Sequence, residues 1–270
     1  MHTLVYKKLY YNKKFGQNFL KDKKIVKKII NFINPSCLDI LVEIGPGLGA
    51  LTEPICRIVD NLVLVEIDKN VLYFLEKEKY FHKLLIFNQD VMSFNFEKLS
   101  IIKKSMLRIF GNLPYNISVK LILYLIKFSN YIIDMNFMVQ KEVANRFIAQ
   151  PGSKMYGRLS IIMQCYYDIK LGFDVGANAF SPTPKVQSTF LQLIPKKIPL
   201  YPYNKINFLK EITFLSFTNR RKILKNSLLH IVNKKIFLNL GIDIYLRPED
   251  LSVIQYCHIA HIFYLYKNKC

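Results

Sequence analysis

Long apolar runs are missing from this chain of 270 residues. No stretch approaches the roughly 18 consecutive apolar residues needed to cross a bilayer. Residues 1–14, though basic, lack the apolar core and small-residue cleavage site of a secretory signal. A soluble, cytoplasmic protein with no membrane partner is expected. Paired cysteines are missing too. The five present, Cys37, Cys56, Cys165, Cys257 and Cys270, are odd in number, scattered, and form no Cys-x-x-Cys. That excludes a disulfide framework and a cysteine zinc site. His258 and His261 stand three apart with no carboxylate or cysteine partner nearby, so no metal is expected. Internal repeats and low-complexity tracts are absent as well.

Acids are scarce. Nineteen Asp and Glu face 39 Lys and Arg, a net charge of +20. The surplus is uneven: residues 1–35 hold nine Lys and one Asp, and residues 201–270 hold eleven Lys and Arg against four acids. Basic ends around a milder middle are what a clamp on a phosphate backbone requires, and they point to nucleic acid. A Lys-rich proteome would raise the charge everywhere, without favouring the ends. With 51% apolar residues the chain can bury a core, and its length suits one sizeable domain plus a small one.

Strand-like runs near 39–44, 61–66, 84–88, 107–111, 131–139, 169–175 and 188–194 alternate with helical patterns such as 50–59, 119–128 and 141–148. This alternation predicts an open α/β sheet, whose ligands sit beyond the carboxyl ends of the strands. Pro195, Pro199 and Pro202 fall together, after which the pattern turns helical over 208–217, 223–232 and 234–240. We therefore expect a catalytic sheet domain over 1–198 that includes a basic N-terminal arm, and a small helical RNA-binding domain over 199–270.

Two motifs lie at predicted strand ends. In Leu41-Val42-Glu43-Ile44-Gly45-Pro46-Gly47-Leu48-Gly49 an apolar strand runs into spaced glycines that open a helix, a geometry that lets a nucleotide-like ligand approach the backbone. Glu43 beside the first glycine would repel a pyrophosphate but suits a cationic, amino-acid-bearing ligand such as S-adenosylmethionine. Glu66 ends the next strand near the spacing at which an acid reaches ribose hydroxyls. Asp90 ends the third, placed to accept from an adenine amino group, while Asp68 reads as the N-cap of a helix beginning at Lys69. The second motif is Asn112-Leu113-Pro114-Tyr115. The exocyclic amine of adenine is a weak nucleophile because its lone pair is delocalised into the ring. If the Asn112 side-chain oxygen and the Leu113 carbonyl each accept an N–H, the lone pair is turned out of the ring plane. Pro114 fixes the carbonyl, and Tyr115 offers a face for stacking. Phe180, on a loop with Pro182 and Pro184, is placed to sandwich the same base.

Together, Lys14 to Leu20, Glu43 to Pro54, Asn112 to Ser118, Val139 to Arg146, Pro151 to Ser160 and Phe180 to Val186 resemble the bacterial small-subunit (16S) ribosomal RNA adenine dimethyltransferases. The resemblance runs from about Lys14 to the segment Arg247 to Ser252. It implies a Rossmann-like seven-stranded methyltransferase sheet with a small C-terminal helical domain, and S-adenosylmethionine as cofactor. It further implies transfer of methyl groups to N6 of two adjacent adenosines in a hairpin loop near the 3′ end of 16S rRNA, within the small ribosomal subunit. By the same resemblance Asn18, Leu20, Gly45, Glu66, Asp90 and Asn112 contact the cofactor, to which the loop reading adds Glu43 and Gly47, and Asn112 to Tyr115 with Phe180 hold the base. Arg220, Arg221, Lys222 and Lys225, read as a basic helix face, contact RNA. Gln187 and Thr218-Asn219 depart from the family's usual residues. A monomer is expected. The alternatives are a large-subunit rRNA adenine methyltransferase, which shares the Asn112 to Tyr115 pattern but not the stretch Pro151 to Ser160, and a non-catalytic RNA-binding assembly factor. A dehydrogenase is a third.

Overall fold

The computed structural model describes residues 17–218, 220–229, 231 and 233–267. The expected basic arm over residues 1–14, and Asn219 of the departing pair, lie outside them. The chain forms two compact units, one from Met1–Lys141 and Lys170–Ile194, the other from Glu142–Ile169 and Pro195–Cys270.

In the first unit β2 (Ile40–Ile44), β3 (Leu62–Glu66), β4 (Leu84–Asn88), β5 (Leu107–Asn112) and β6 (Ile132–Gln140) run parallel. β9 (Ser188–Pro195) lies antiparallel to β6, and β7 (Tyr167–Val175) completes the seven-stranded order β4-β3-β2-β5-β6-β9-β7. All seven expected strands are present. The central ones read as continuous apolar runs because both faces are covered: Leu41, Val42, Leu62, Leu64, Leu107, Ile109 and Phe110 are all buried. Chain order reverses between β2 and β5, which makes a crevice beyond their carboxyl ends. The two strands approach so closely there that a Cβ on Gly111 would stand 2.4 Å from the Ile44 carbonyl oxygen.

α1 (Lys23–Ile33) starts at Asp22, whose carboxylate accepts from the amides of Lys24 and Ile25, and it buries Ile29 and Ile33. α2 (Thr52–Cys56) is shorter than the expected 50–59, since the residues on both sides of it close as turns. α3 (Lys69–Leu75) is capped by Asp68, which accepts from the Asn70 amide at 3.0 Å, as the sequence indicated. α4 (Phe96–Lys103) follows β4 and a short helical turn. α5 (Tyr115–Leu125) begins four residues before the expected Val119, because the extended backbone of Pro114 hands β5 directly into the helix.

One small element was not legible. β1 (Phe19–Leu20) pairs with β8 (Phe180–Ser181), Leu20 opposite Phe180. Two-residue strands have no periodicity to read. The pairing corrects the expectation for Phe180: its ring is fully buried in the core with Leu20, Met138 and Phe190, and is not an open loop residue.

The second unit comprises α6 (Lys141–Ile148), α7 (Arg158–Tyr166), α8 (Ile206–Thr218), α9 (Leu224–Leu228), α10 (Lys234–Asn239) and α11 (Val253–Lys267). α7 buries Ile161, Ile162, Met163, Cys165 and Tyr166 and packs on α8 and α11. The Cys165 and Cys257 sulfurs stand 3.8 Å apart as free thiols, and the Tyr156 hydroxyl donates to the Leu251 carbonyl at 2.9 Å. The division therefore departs from the expected cut at 198/199. The prolines mark where the chain re-enters this unit, but residues 142–169 already belong to it, because α7 has apolar surface that α8 and α11 cover.

Candidate active site

A cavity of about 310 Å³ occupies the crevice beyond β2, β3, β4 and β5. Asn18, Leu20, Glu43, Gly45, Gly47, Glu66, Asp90, Asn112 and Pro114 line it, so every residue nominated for the cofactor is gathered from five separate segments into one place. Gly47 has φ +54°, and a Cβ there would stand 2.9 Å from the Phe19 ring, so only glycine lets the loop turn beneath β1. The Gly45 amide donates to the Val65 carbonyl, fixing the loop to β3.

The electrostatics are one-sided. Among the described residues Glu43, Glu66 and Asp90 line the cavity and no Lys or Arg does. Glu43 is 1% exposed, and burial pushes its carboxyl up to about 8, against the hydrogen bond from the Thr52 hydroxyl at 2.7 Å and with the help of the Glu66 charge. Glu66 is likewise raised by burial to about 7, although the Asp68 amide donates to it at 2.8 Å. Asp90 is exposed and caps the following turn, accepting from the Met92 amide at 2.9 Å. In the empty cavity Glu43 and Glu66 hold their protons up to near neutral pH, and a cationic ligand beside them favours the ionised carboxylates that would face it.

The Asn112 amide nitrogen donates to the Asn18 carbonyl at 2.6 Å. A carbonyl only accepts, so the nitrogen must lie on that side, and Oδ1 is left as an acceptor. Leu113 is buried and Tyr115 half-buried; neither lines the cavity. The Tyr115 hydroxyl is hydrogen-bonded to Ser188 Oγ at 2.6 Å, and burial holds the phenol above its usual range. Phe180 stands behind the cavity wall, joined to it through the β1 and β8 pairing.

In the second unit the four nominated cations do not share one helix face. Arg220, Arg221 and Lys222 form the turn before α9, and Lys225 lies on it. The Arg220 guanidinium is engaged, donating to Glu249 at 2.5 Å and to the Ser153 carbonyl at 3.2 Å. Arg221, Lys222 and Lys225 are all exposed.

Several cavity residues were not nominated from sequence: Phe19, Ile44, Leu51, Val65, Ile67, Gln89, Val91, Asn116 and Ile117. Most are apolar residues adjacent to nominated ones, and nothing in their type separates them from core. Gln17, within the stretch Lys14 to Leu20 but not nominated, also lines the cavity and donates to Asp68 at 3.1 Å.

A model of the ribosomal RNA adenine dimethylase family matches residues 9–265. The chain belongs to that family. Among its relatives, ribosomal RNA small subunit methyltransferase A of Buchnera aphidicola subsp. Schizaphis graminum is 51% identical over 256 residues, covering 95% of this chain and 93% of the relative. The protein of the same name from Erwinia tasmaniensis is 44% identical over 262 residues, covering 97% and 96%. Two solved structures share the fold: a dimethyladenosine transferase from Plasmodium falciparum (TM-score 0.76, 24% identity, 93% and 98% covered) and the 23S rRNA methyltransferase ErmE (TM-score 0.67, 20% identity, 90% and 98% covered). The fold is that of the S-adenosylmethionine-dependent methyltransferases, and the dimethylase family uses S-adenosylmethionine. The cavity fits that cofactor, since a glycine turn leaves room for a ligand against the backbone and buried carboxylates face a cation.

Proposed function

We propose that this dimethylase acts on 16S rRNA in the small ribosomal subunit, converting two adjacent adenosines of the 3′-terminal hairpin loop to N6,N6-dimethyladenosine. We further propose that it works in the cytoplasm as a monomer. The observation that carries the catalytic reading is the Asn112 amide, locked by the Asn18 carbonyl with its oxygen left to accept.

In this reading Glu66 holds the ribose hydroxyls, Asp90 the adenine amino group, and Glu43 with the Gly45 and Gly47 loop the amino-acid end of the cofactor, assisted by Asn18 and Leu20. Bound there, S-adenosylmethionine supplies an electrophilic methyl group. Asn112 Oδ1 and the Leu113 carbonyl accept from the substrate amine and orient its lone pair, which is stabilisation aimed at the reacting atom. Pro114 fixes the carbonyl, and Tyr115, tethered to Ser188, supplies the stacking face. Phe180 is reassigned from stacking partner to support of the wall carrying Asn18 and Leu20. The amine becomes strongly acidic only after it has attacked, so water suffices to take its proton and no general base is assigned. A monomethylated amine has one N–H left, so the second transfer uses a single acceptor and depends on room beside Tyr115. In the second unit Arg221, Lys222 and Lys225 contact RNA phosphates, whereas Arg220 braces its own turn.

The test is incubation with labelled S-adenosylmethionine and unmethylated small subunits, followed by mapping of the label. Label on two adjacent adenosines near the RNA 3′ end is expected; label confined to large-subunit RNA, or none, overturns the substrate.

A further inference from the structure

Among the described residues, a run of positive charge without ion-pair partners lies on α1. Lys23, Lys24, Lys27 and Lys28 all face solvent in its first two turns. Local electrostatics oppose this placement twice. Cations near a helix N-terminus face the positive end of the backbone dipole, and Lys23 with Lys27, and Lys24 with Lys28, are like charges four residues apart. The nearest acid offsets them only in part: the Asp22 carboxylate, held as the N-cap at 2.8 and 3.2 Å from the amides of Lys24 and Ile25, forms no ion pair with them and sets one negative charge against four positive ones. Among the described residues these lysines form no ion pair, whereas Lys83, Lys141, Lys196 and Lys267 each have an acid partner. Residues 1–16 contain no Asp or Glu at all. Lys170 of β7 extends the patch, its ammonium 5.5 Å from the Phe32 ring, beside Lys28 at 5.8 Å from the Phe173 ring.

Lysine as a generic solvent-facing residue explains a high count, but not its concentration without acids at the wrong end of one helix. A segment that breaks local rules with no gain inside the chain marks a surface built for a partner. We propose that α1 is a phosphate-binding ridge that guides ribosomal RNA to the cavity, in addition to the cations of the second unit. The occupant is the RNA backbone, by charge complementarity and by continuity: Asn18, Phe19 and Leu20 line the cavity, and the chain passes from them through Lys21 and Asp22 into the helix. The identity of that RNA rests on the function proposed above.

The test uses the full chain with Lys23→Gln, Lys24→Gln and Lys27→Gln together. Gln has nearly the helix propensity of Lys, and Lys28 is kept over Phe173. Removing the repulsion should raise Tm by about 1–4 °C at low salt. The slope of log affinity for unmethylated small subunits against log salt should flatten by about 2–3, at roughly 0.7–0.9 for each phosphate no longer neutralised. Cofactor affinity should not move. An unchanged salt slope overturns the ridge whichever way Tm moves. If the wild type places no methyl on small-subunit RNA, the substrate assignment fails, and the same slopes measured on a single-stranded RNA oligonucleotide still decide the ridge.

Discussion

Among the residues of the cavity, Glu43 couples the site to pH. Its carboxyl stands at about 8 in the folded chain against an ordinary 4.5. The native state therefore holds the proton more tightly between these values, and stability falls as pH rises through that window. Glu66, raised to about 7, acts in the same direction. In Glu43→Gln the first contribution disappears and the second remains. Thermal melts of the ligand-free protein from pH 5 to pH 8.5 should show a shallower loss of Tm in the variant, and parallel curves would remove Glu43 from the account. Asn112→Ala should lower single-turnover methyl transfer by about 10²–10³-fold, the loss typical of one hydrogen bond aimed at a developing charge, with RNA affinity nearly unchanged. A near-normal rate would sink the role of its oxygen. The strand-end residues could be read from sequence because acids and amides are rare at the ends of apolar runs. Phe180 could not be placed correctly, since neighbouring prolines fix a backbone but do not say whether the ring points outward or into the core.

At the level of elements, the closeness of β2 and β5 is what makes the cavity. In Gly111→Ala the new Cβ would meet the Ile44 carbonyl oxygen at 2.4 Å, and a backbone atom cannot swing aside as a flexible side chain does. The strands must separate, at a cost of about 1–3 kcal/mol if this resembles overpacking of a core, and Gly45 and Asn112 move apart with them. Urea unfolding and cofactor titration should both report the change; normal cofactor affinity in a destabilised variant would show that the loop adjusts independently. The seven strands were legible because runs of five to nine residues leave a clear apolar pattern. β1 and β8 are too short to leave one. α11 escaped notice for the opposite reason: apolar residues lie on most of its sides, as in Ile259, Ala260, Phe263 and the exposed Ile254, Leu265 and Tyr266, so no single face stands out.

For the whole molecule, the cations of the second unit divide into two kinds. Arg220→Ala removes the donor that holds Glu249 and Ser153, so it should lower Tm by several degrees. Neutralising Arg221 and Lys222 should leave Tm alone and flatten the salt dependence of RNA binding by about 1.4–1.8, at roughly 0.7–0.9 per phosphate. The reverse pattern would mean that Arg220 faces RNA and its neighbours brace the turn. The interrupted second unit also has a consequence for synthesis. Residues 142–169 leave the ribosome with α7 unable to cover its apolar face, because α11 ends only at Lys267. At about 5–20 residues per second that face waits about 5–20 s for its partner helix. Through that interval the sheet is finished first, when β9 closes it at Pro195, and the helical unit stays incomplete until α11 has been made.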